Sequence, residues 1–115
     1  MTATLRILIV EDSEDDAVLT MRHLAKHGYT SHYERVETAE AMRSALKEKP
    51  WDIVISDYKL PRFSGLDALA IFQETGIDIP FIIVSGTIGE DVAIEALKTG
   101  ADDYVIKDRL GRIGS

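Results

Sequence analysis

The stretch Ile53-Val54-Ile55-Ser56-Asp57 decides the fold of this chain. A short apolar run rich in Val and Ile that ends at turn-forming residues is typical of a strand buried on both faces of a sheet. Asp57 is therefore predicted to lie where a buried central strand reaches the surface. In an open α/β sheet, ligands bind at the carboxyl ends of the strands, so this carboxylate is the first candidate for a functional residue.

Three further apolar runs have the same form, and each of them also ends in polar residues. They predict strands at 5–10, at 81–84 and at about 103–106, beside the central strand at 52–56. A polar, weakly periodic stretch at 30–36 is predicted as an edge strand. If the apolar strands are parallel neighbours, one edge of the sheet collects the side chains of Glu11, Asp12, Asp57, Ser85 and Lys107.

Helical segments alternate with the predicted strands. Apolar residues recur at helical spacing after Ser13, Thr38 and Ser64, which have the pattern of helix N-caps, and a fourth helix is predicted to open at Glu90. Strands that alternate with helices predict an α/β fold with a parallel sheet. We expect a flavodoxin-like, doubly wound sheet of five strands in the order 2-1-3-4-5. Strands 1 and 3 are then neighbours, which brings their polar ends into one crevice.

The composition narrows the function classes. The chain of 115 residues fits one domain, residues 1–115, and carries a formal net charge of −7 with a pI of about 4.8. Such a charge argues against non-specific binding to nucleic acid and to anionic membrane surfaces. The chain has no cysteine, which excludes a disulfide framework and a thiolate metal site. No apolar run approaches the roughly 20 residues that span a bilayer, and we expect a soluble, cytoplasmic protein.

The predicted cluster of carboxylates points to a metal ion. Three carboxylates within a few ångströms repel one another, so either one stays protonated or a cation lies between them. Because every candidate ligand is an oxygen, Mg²⁺ or Mn²⁺ fits better than a soft metal. Beside such an ion, the Lys107 ammonium and the Ser85 hydroxyl would stabilise a phosphoryl group in transit. Asp57 is the best candidate for its covalent acceptor.

The residues at these strand ends resemble those of the response-regulator receiver domain of two-component signalling. The resemblance covers essentially the whole chain and rests on Glu11-Asp12, Asp57 with Leu60-Pro61, Ser85 followed by a small residue, and Lys107. It implies that Asp57 is the phosphoacceptor. It also implies a Mg²⁺ ion that Asp12 and Asp57 hold directly, with Glu11 assisting. The backbone carbonyl of Lys59 would supply another ligand.

The resemblance also implies how such a domain switches. Ser85 and Lys107 would bind the phosphoryl oxygens. Tyr104 occupies the family's aromatic switch position; on phosphorylation it would follow Ser85 inward and remodel the face formed by the fourth helix and fifth strand. Lys59 and Thr87 would flank the path of the attacking water and so tune the lifetime of the phosphoryl group.

A receiver domain takes its phosphoryl group from a phosphohistidine, so the implied partner is a histidine kinase or a phosphotransfer protein. The domain would catalyse only its own phosphorylation and dephosphorylation, and it is not expected to be an enzyme that acts on other substrates. The chain departs from the family in two places. Asp108 stands where the family usually has proline, and the residues after Lys107 are too few for a full fifth helix. The fifth helix is therefore predicted to be short or missing.

A short fifth helix would leave one face of the sheet uncovered, and such a face is an interaction surface. Either the chain is a piece of a longer protein, or a partner covers that face. We expect truncation, with this receiver as the N-terminal part of a longer protein that has a C-terminal output domain or a dimer partner.

Three other functions are compatible with part of the pattern. A small phosphatase with Asp57 as nucleophile would need a second carboxylate close by, but Tyr58 and Lys59 follow. A flavodoxin-like cofactor binder would need a first loop rich in hydroxyls, whereas residues 11–16 would repel phosphate unless a metal intervenes. The main alternative is a receiver-like scaffold that works without phosphorylation, although the acidic pair, Asp57 and Lys107 are all present.

Overall fold

Strands and helices alternate along the chain. A computed structural model describes residues 4–26, 30–60, 63–85 and 90–106. The strands are β1 (Thr4–Val10), β2 (Thr30–Val36), β3 (Ile53–Asp57), β4 (Phe81–Ser85) and β5 (Asp103–Ile106). The helices are α1 (Glu14–Lys26), α2 (Ala39–Glu48), α3 (Gly65–Glu74) and α4 (Glu90–Thr99). These elements confirm the predicted ones, while the prediction of a short fifth helix falls on residues outside the described part of the chain.

The five strands form one parallel sheet in the predicted order β2-β1-β3-β4-β5. β1 and β3 pair so that Val10 lies opposite Ser56. On the other side of β3, Asp57 lies opposite Val84. The carboxyl ends of β1, β3 and β4 are therefore adjacent, and the doubly wound, flavodoxin-like fold expected from the sequence is confirmed.

Both faces of the sheet carry buried apolar side chains. One face packs chiefly on α2 and α3, and its buried strand residues are Leu8, Val10, Val36, Val54, Phe81 and Ile83. The other face packs on α1, where Ala17 shares a buried cluster with Ile7, Ile9, Ile55 and Val84. Because the inner strands are covered on both sides, their sequences are continuous apolar runs, whereas the edge strand β2 is mostly polar.

Hydroxyl side chains set the starts of the two helices that flank the central strand. The Thr38 hydroxyl accepts a hydrogen bond from the Ala41 N–H at the start of α2. At the start of α3, Ser64 and Asp67 form a capping box in which each side chain accepts the other's backbone N–H. The helix-start pattern at both positions is thus confirmed. None of the described helices combines the length and the apolar composition of a membrane span.

Leu69 of α3 has no exposed surface, so its truncation leaves a cavity in the core. We expect Leu69→Ala to lower the free energy of unfolding by about 2–5 kcal/mol, measured by urea unfolding followed by circular dichroism. Leu97→Ala on α4 is the matched control, because Leu97 is 47% exposed. Its truncation should change the free energy of unfolding by only about 0.5 kcal/mol. Equal losses in the two variants would contradict the described core.

Candidate functional site

Three carboxylates converge at the carboxyl ends of β1 and β3. One ligand oxygen from each of Glu11, Asp12 and Asp57 lies within 4.8 Å of the others. The strand register explains the convergence, because Val10 pairs with Ser56 and the next residue of each strand lies at the same edge of the sheet. The predicted convergence of these three side chains is therefore confirmed.

The inner part of the carboxylate cluster is buried, and its outer part is open to solvent. Glu11 is 3% exposed and Asp57 is 7% exposed, whereas Asp12 is exposed to solvent. Like charges held this close, and partly withdrawn from water, favour a cation between them. A set of oxygen ligands that leaves one side open to water suits Mg²⁺, which usually binds one or two carboxylates and keeps several waters. The donor set therefore fits the magnesium site expected from the sequence.

The loop from β1 to α1 is held at several points. The Glu11 N–H donates to the carbonyl oxygen of Val36 on β2 at 2.9 Å. The Glu11 side chain accepts a hydrogen bond from the Ser13 N–H at 3.1 Å. The Ser13 hydroxyl in turn accepts from the Asp16 N–H at 3.2 Å, as expected of a residue that starts a helix. These hydrogen bonds orient the Glu11 carboxylate within the loop.

Arg35 on β2 also contacts this loop, although no motif in the sequence indicates this contact. Its Nη1 donates to the carbonyl oxygen of Glu11 at 3.2 Å and lies 3.5 Å from that of Asp12. The same atom lies 3.5 Å from a carboxylate oxygen of Glu37. In the sequence, Arg35 is only a cation one residue before the end of β2, the strand that pairs with β1. Only the register of that pairing shows what this cation reaches.

The loop after Asp57 turns back tightly towards α3. The Tyr58 N–H donates to the Val84 carbonyl at 2.8 Å, and the Tyr58 carbonyl accepts from the Gly65 N–H at 2.7 Å. Lys59 forms an antiparallel bridge with Ser64. The backbone that follows Asp57 is therefore tied to both β4 and α3, and the Lys59 side chain is exposed at the surface.

The remaining predicted site residues lie towards β4 and β5. Ser85 is the last residue of β4 and is 3% exposed. Since Asp57 pairs with Val84, the Ser85 position is one residue beyond that pair, at the same edge of the sheet. Tyr104 on β5 is partly buried and packs against the core on the α2 and α3 side. The predictions for Thr87 and Lys107, and the departure at Asp108, lie outside the described residues.

Comparison with known proteins gives a consistent set of relatives. A family model described as the response regulator receiver domain matches residues 7–112. The response regulator SaeR of Staphylococcus epidermidis is 34% identical over 103 residues, which are 88% of this chain and 43% of that protein. The transcriptional regulatory protein YxdJ of Bacillus subtilis is 35% identical over 102 residues, with 89% and 43% covered. The chain thus spans less than half the length of these curated relatives.

Solved structures show the same architecture. A response regulator from Hahella chejuensis superposes with a TM-score of 0.79 and 26% identity, covering 95% of this chain and 89% of that one. The receiver domain of the sensor histidine kinase PA1611 from Pseudomonas aeruginosa superposes with a TM-score of 0.72 and 22% identity, covering 97% and 95%. At 22% identity, the likeness to the PA1611 receiver domain shows a shared fold alone.

Gly65 begins α3 directly behind Asp57 and allows a close approach of the backbone. A Cβ at this position would lie 2.9 Å from the Asp57 carbonyl oxygen and 2.9 Å from the Tyr58 Cα. Because both are backbone atoms, they must shift to make room. We expect Gly65→Ala to lower the free energy of unfolding by about 1–3 kcal/mol. It should also weaken Mn²⁺ binding several-fold, because Asp57 is displaced from the other carboxylates.

Gly76→Ala is the matched control for this substitution. Gly76 has a φ of 72° and open space where a Cβ would lie. This variant should therefore lose about 1–2 kcal/mol through backbone strain and keep the wild-type affinity for Mn²⁺. Urea unfolding gives the stability, and titration followed by electron paramagnetic resonance gives the affinity. If both variants bind Mn²⁺ equally well, close packing behind Asp57 does not position the carboxylate.

Proposed function

The chain belongs to the family of response regulator receiver domains, and we propose that it acts as the phosphoacceptor of a two-component phosphorelay. The single observation that carries this proposal is the cluster at the carboxyl ends of β1 and β3. There Asp57, almost fully buried, lies within 4.8 Å of Glu11 and Asp12. A carboxylate in such a crevice is a suitable acceptor for aspartyl-phosphate chemistry.

In the proposed reaction, a carboxylate oxygen of Asp57 attacks the phosphorus of a phosphohistidine on a histidine kinase or phosphotransfer protein. An O–P bond forms at Asp57 while the N–P bond of the donor breaks, and the electron pair of that bond stays on the imidazole. Hydrolysis by water later regenerates the carboxylate and releases phosphate. The domain would thus catalyse only its own phosphorylation and dephosphorylation.

The proposed cofactor is Mg²⁺, held by the carboxylates of Glu11, Asp12 and Asp57 and by the backbone carbonyl of Lys59. The chemistry of the donor set supports this assignment, because all of these ligands are hard oxygens. When bound, the ion neutralises negative charge on the phosphoryl oxygens. The chain itself keeps the acceptor in place, since Asp57 ends a central strand that is paired on both sides.

Further residues have proposed roles around the phosphoryl group. Ser85 and Lys107 would bind its oxygens, and the buried position of Ser85 at the end of β4 supports that role. Tyr104 would act as the switch, which its partly buried position against the core supports. Thr87, with Lys59, would tune the lifetime of the phosphoryl group. On phosphorylation, movements of Ser85 and Tyr104 would shift a surface that includes α4 and β5 between two states.

The whole protein is proposed to have an output domain or a dimer partner in addition to this receiver domain. Relatives such as YxdJ are named as transcriptional regulators, and the chain spans 43% of that protein, which supports a C-terminal output domain or a dimer partner in the cytoplasm. The net charge of −7 argues against binding of nucleic acid or membranes by this domain itself. A scaffold that works without phosphorylation is less well supported, because the three-carboxylate cluster is complete.

Asp57 should gain one phosphoryl group when the protein is incubated with acetyl phosphate and Mg²⁺. Intact mass measurement should show this addition in the wild type, and it should be lost without Mg²⁺ because the ion offsets repulsion between carboxylate and phosphate. Asp57→Asn removes the nucleophile and should show no addition. Asp78→Asn, which makes the same charge change at an exposed loop position, should be phosphorylated like the wild type. Phosphorylation of Asp57→Asn to the wild-type level would contradict the proposal.

Lys59 is predicted to flank the path of the attacking water and to tune the lifetime of the phosphoryl group. Its side chain is exposed beside the loop that follows Asp57, so Lys59→Ala should open the path of the attacking water. We expect the phosphorylated variant to lose its phosphoryl group several-fold faster, since about 1 kcal/mol in a barrier is roughly a fivefold change in rate. The site of phosphorylation should not change. The decay of the phosphorylated mass after removal of acetyl phosphate measures the rate.

Lys47→Ala is the control for the lifetime, because Lys47 is an exposed lysine on α2 and its truncation makes the same charge change. Its phosphoryl group should decay at the wild-type rate. Identical decay in the Lys59 and Lys47 variants would show that Lys59 does not tune the lifetime.

A further inference from the structure

Arg35 ties the acidic loop to the neighbouring strand. Its Nη1 donates to the Glu11 carbonyl oxygen at 3.2 Å and lies 3.5 Å from the Asp12 carbonyl oxygen. The side chain is only 30% exposed, and the same nitrogen lies 3.5 Å from Glu37. Hydrogen bonds from a charged donor are about twice as strong as neutral ones. This guanidinium therefore contacts the main chain of both acidic residues that precede α1.

Two successive residues of β2 hold the backbone of Glu11 on both sides. The Val36 carbonyl accepts the Glu11 N–H at 2.9 Å, and Arg35 donates to the Glu11 carbonyl. The register makes this possible, because Val10 pairs with Val36 at the end of the ladder. β2 supplies none of the three carboxylates, yet it holds the residue that carries one of them.

The need for such a hold follows from electrostatics. Three carboxylates with oxygens within 4.8 Å of one another repel before an ion arrives, and the segment that can yield is the loop after β1. Asp57 cannot move away as easily, since β3 is paired on both sides. Contacts that fix the carbonyl groups of Glu11 and Asp12 keep their side chains near Asp57. The ion then binds a preformed set of ligands, so the ligand residues lose less conformational entropy on binding.

We propose that Arg35 is a positioning residue for the divalent cation, acting through the main chain of Glu11 and Asp12. This inference rests on the proposed function, because it takes the carboxylate cluster as the cation site. Loss of groups that orient metal ligands typically weakens metal binding by about 10–100-fold. A purely electrostatic role would have the opposite sign, because removing a positive charge near the cluster would tighten cation binding.

The test is the affinity for Mn²⁺, measured by titration followed by electron paramagnetic resonance and checked by competition with Mg²⁺. Arg35→Gln removes the positive charge and gives a side chain too short to contact the carbonyl oxygens of Glu11 and Asp12. It should weaken Mn²⁺ binding about tenfold or more. Arg35→Lys keeps the charge but ends one bond shorter, and it should bind more tightly than Arg35→Gln. Arg43→Gln makes the same charge change at an exposed position on α2, and it should bind Mn²⁺ like the wild type.

Wild-type or tighter Mn²⁺ binding by Arg35→Gln would overturn the inference. So would a variant whose urea midpoint falls while its affinity is unchanged, because Arg35 would then only stabilise the fold. If the wild type binds no Mn²⁺, the cation site fails and the inference fails with it. A third outcome separates the two proposals. If Arg35→Gln binds Mn²⁺ more weakly than the wild type, but acetyl phosphate does not phosphorylate the wild type, the positioning role stands and the proposed function fails.

Discussion

The pairing of β1 with β3 is the constraint on which the site depends. These strands are separated in the chain by a helix, a strand and a second helix, and only the crossover order β2-β1-β3 makes them neighbours. Their parallel register then sets Glu11 and Asp57 at the same edge of the sheet. A one-residue slip would turn the side chains of a strand to the other face, so burial of the sheet on both faces also fixes the position of the carboxylates.

Holding three carboxylates together is costly, and much of the local structure opposes their repulsion. The Ser13 N–H orients the Glu11 side chain, and Arg35 bonds to the carbonyl group of the same residue. On the other side, Gly65 lets α3 start close behind Asp57. The site is therefore built from backbone contacts around the acidic residues as much as from the acidic residues themselves, and this order favours tight binding of a small, hard cation.

The sequence predicts the strands, their order and the convergence of the carboxylates, because these follow from apolar runs and from general rules of chain connection. It does not reveal Arg35 or the packing at Gly65. A cation near the end of an edge strand is typical of a solvated charge, and a glycine at the start of a helix is typical of a turn residue. Their roles depend on distances across the sheet and behind it, which no local pattern encodes. The expected roles of Ser85, Tyr104, Lys59, Lys107 and Thr87 remain predictions, and the last two residues lie outside the described part of the chain.

We expect Asp57, and no other carboxylate of the cluster, to accept the phosphoryl group. Borohydride reduces an aspartyl phosphate to homoserine, so the modified position can be read directly by tandem mass spectrometry of a digest. After incubation with acetyl phosphate and Mg²⁺, we expect homoserine at position 57 in the wild type. Homoserine at position 12, or an unreduced Asp57 in protein that has gained a phosphoryl group, would contradict the account.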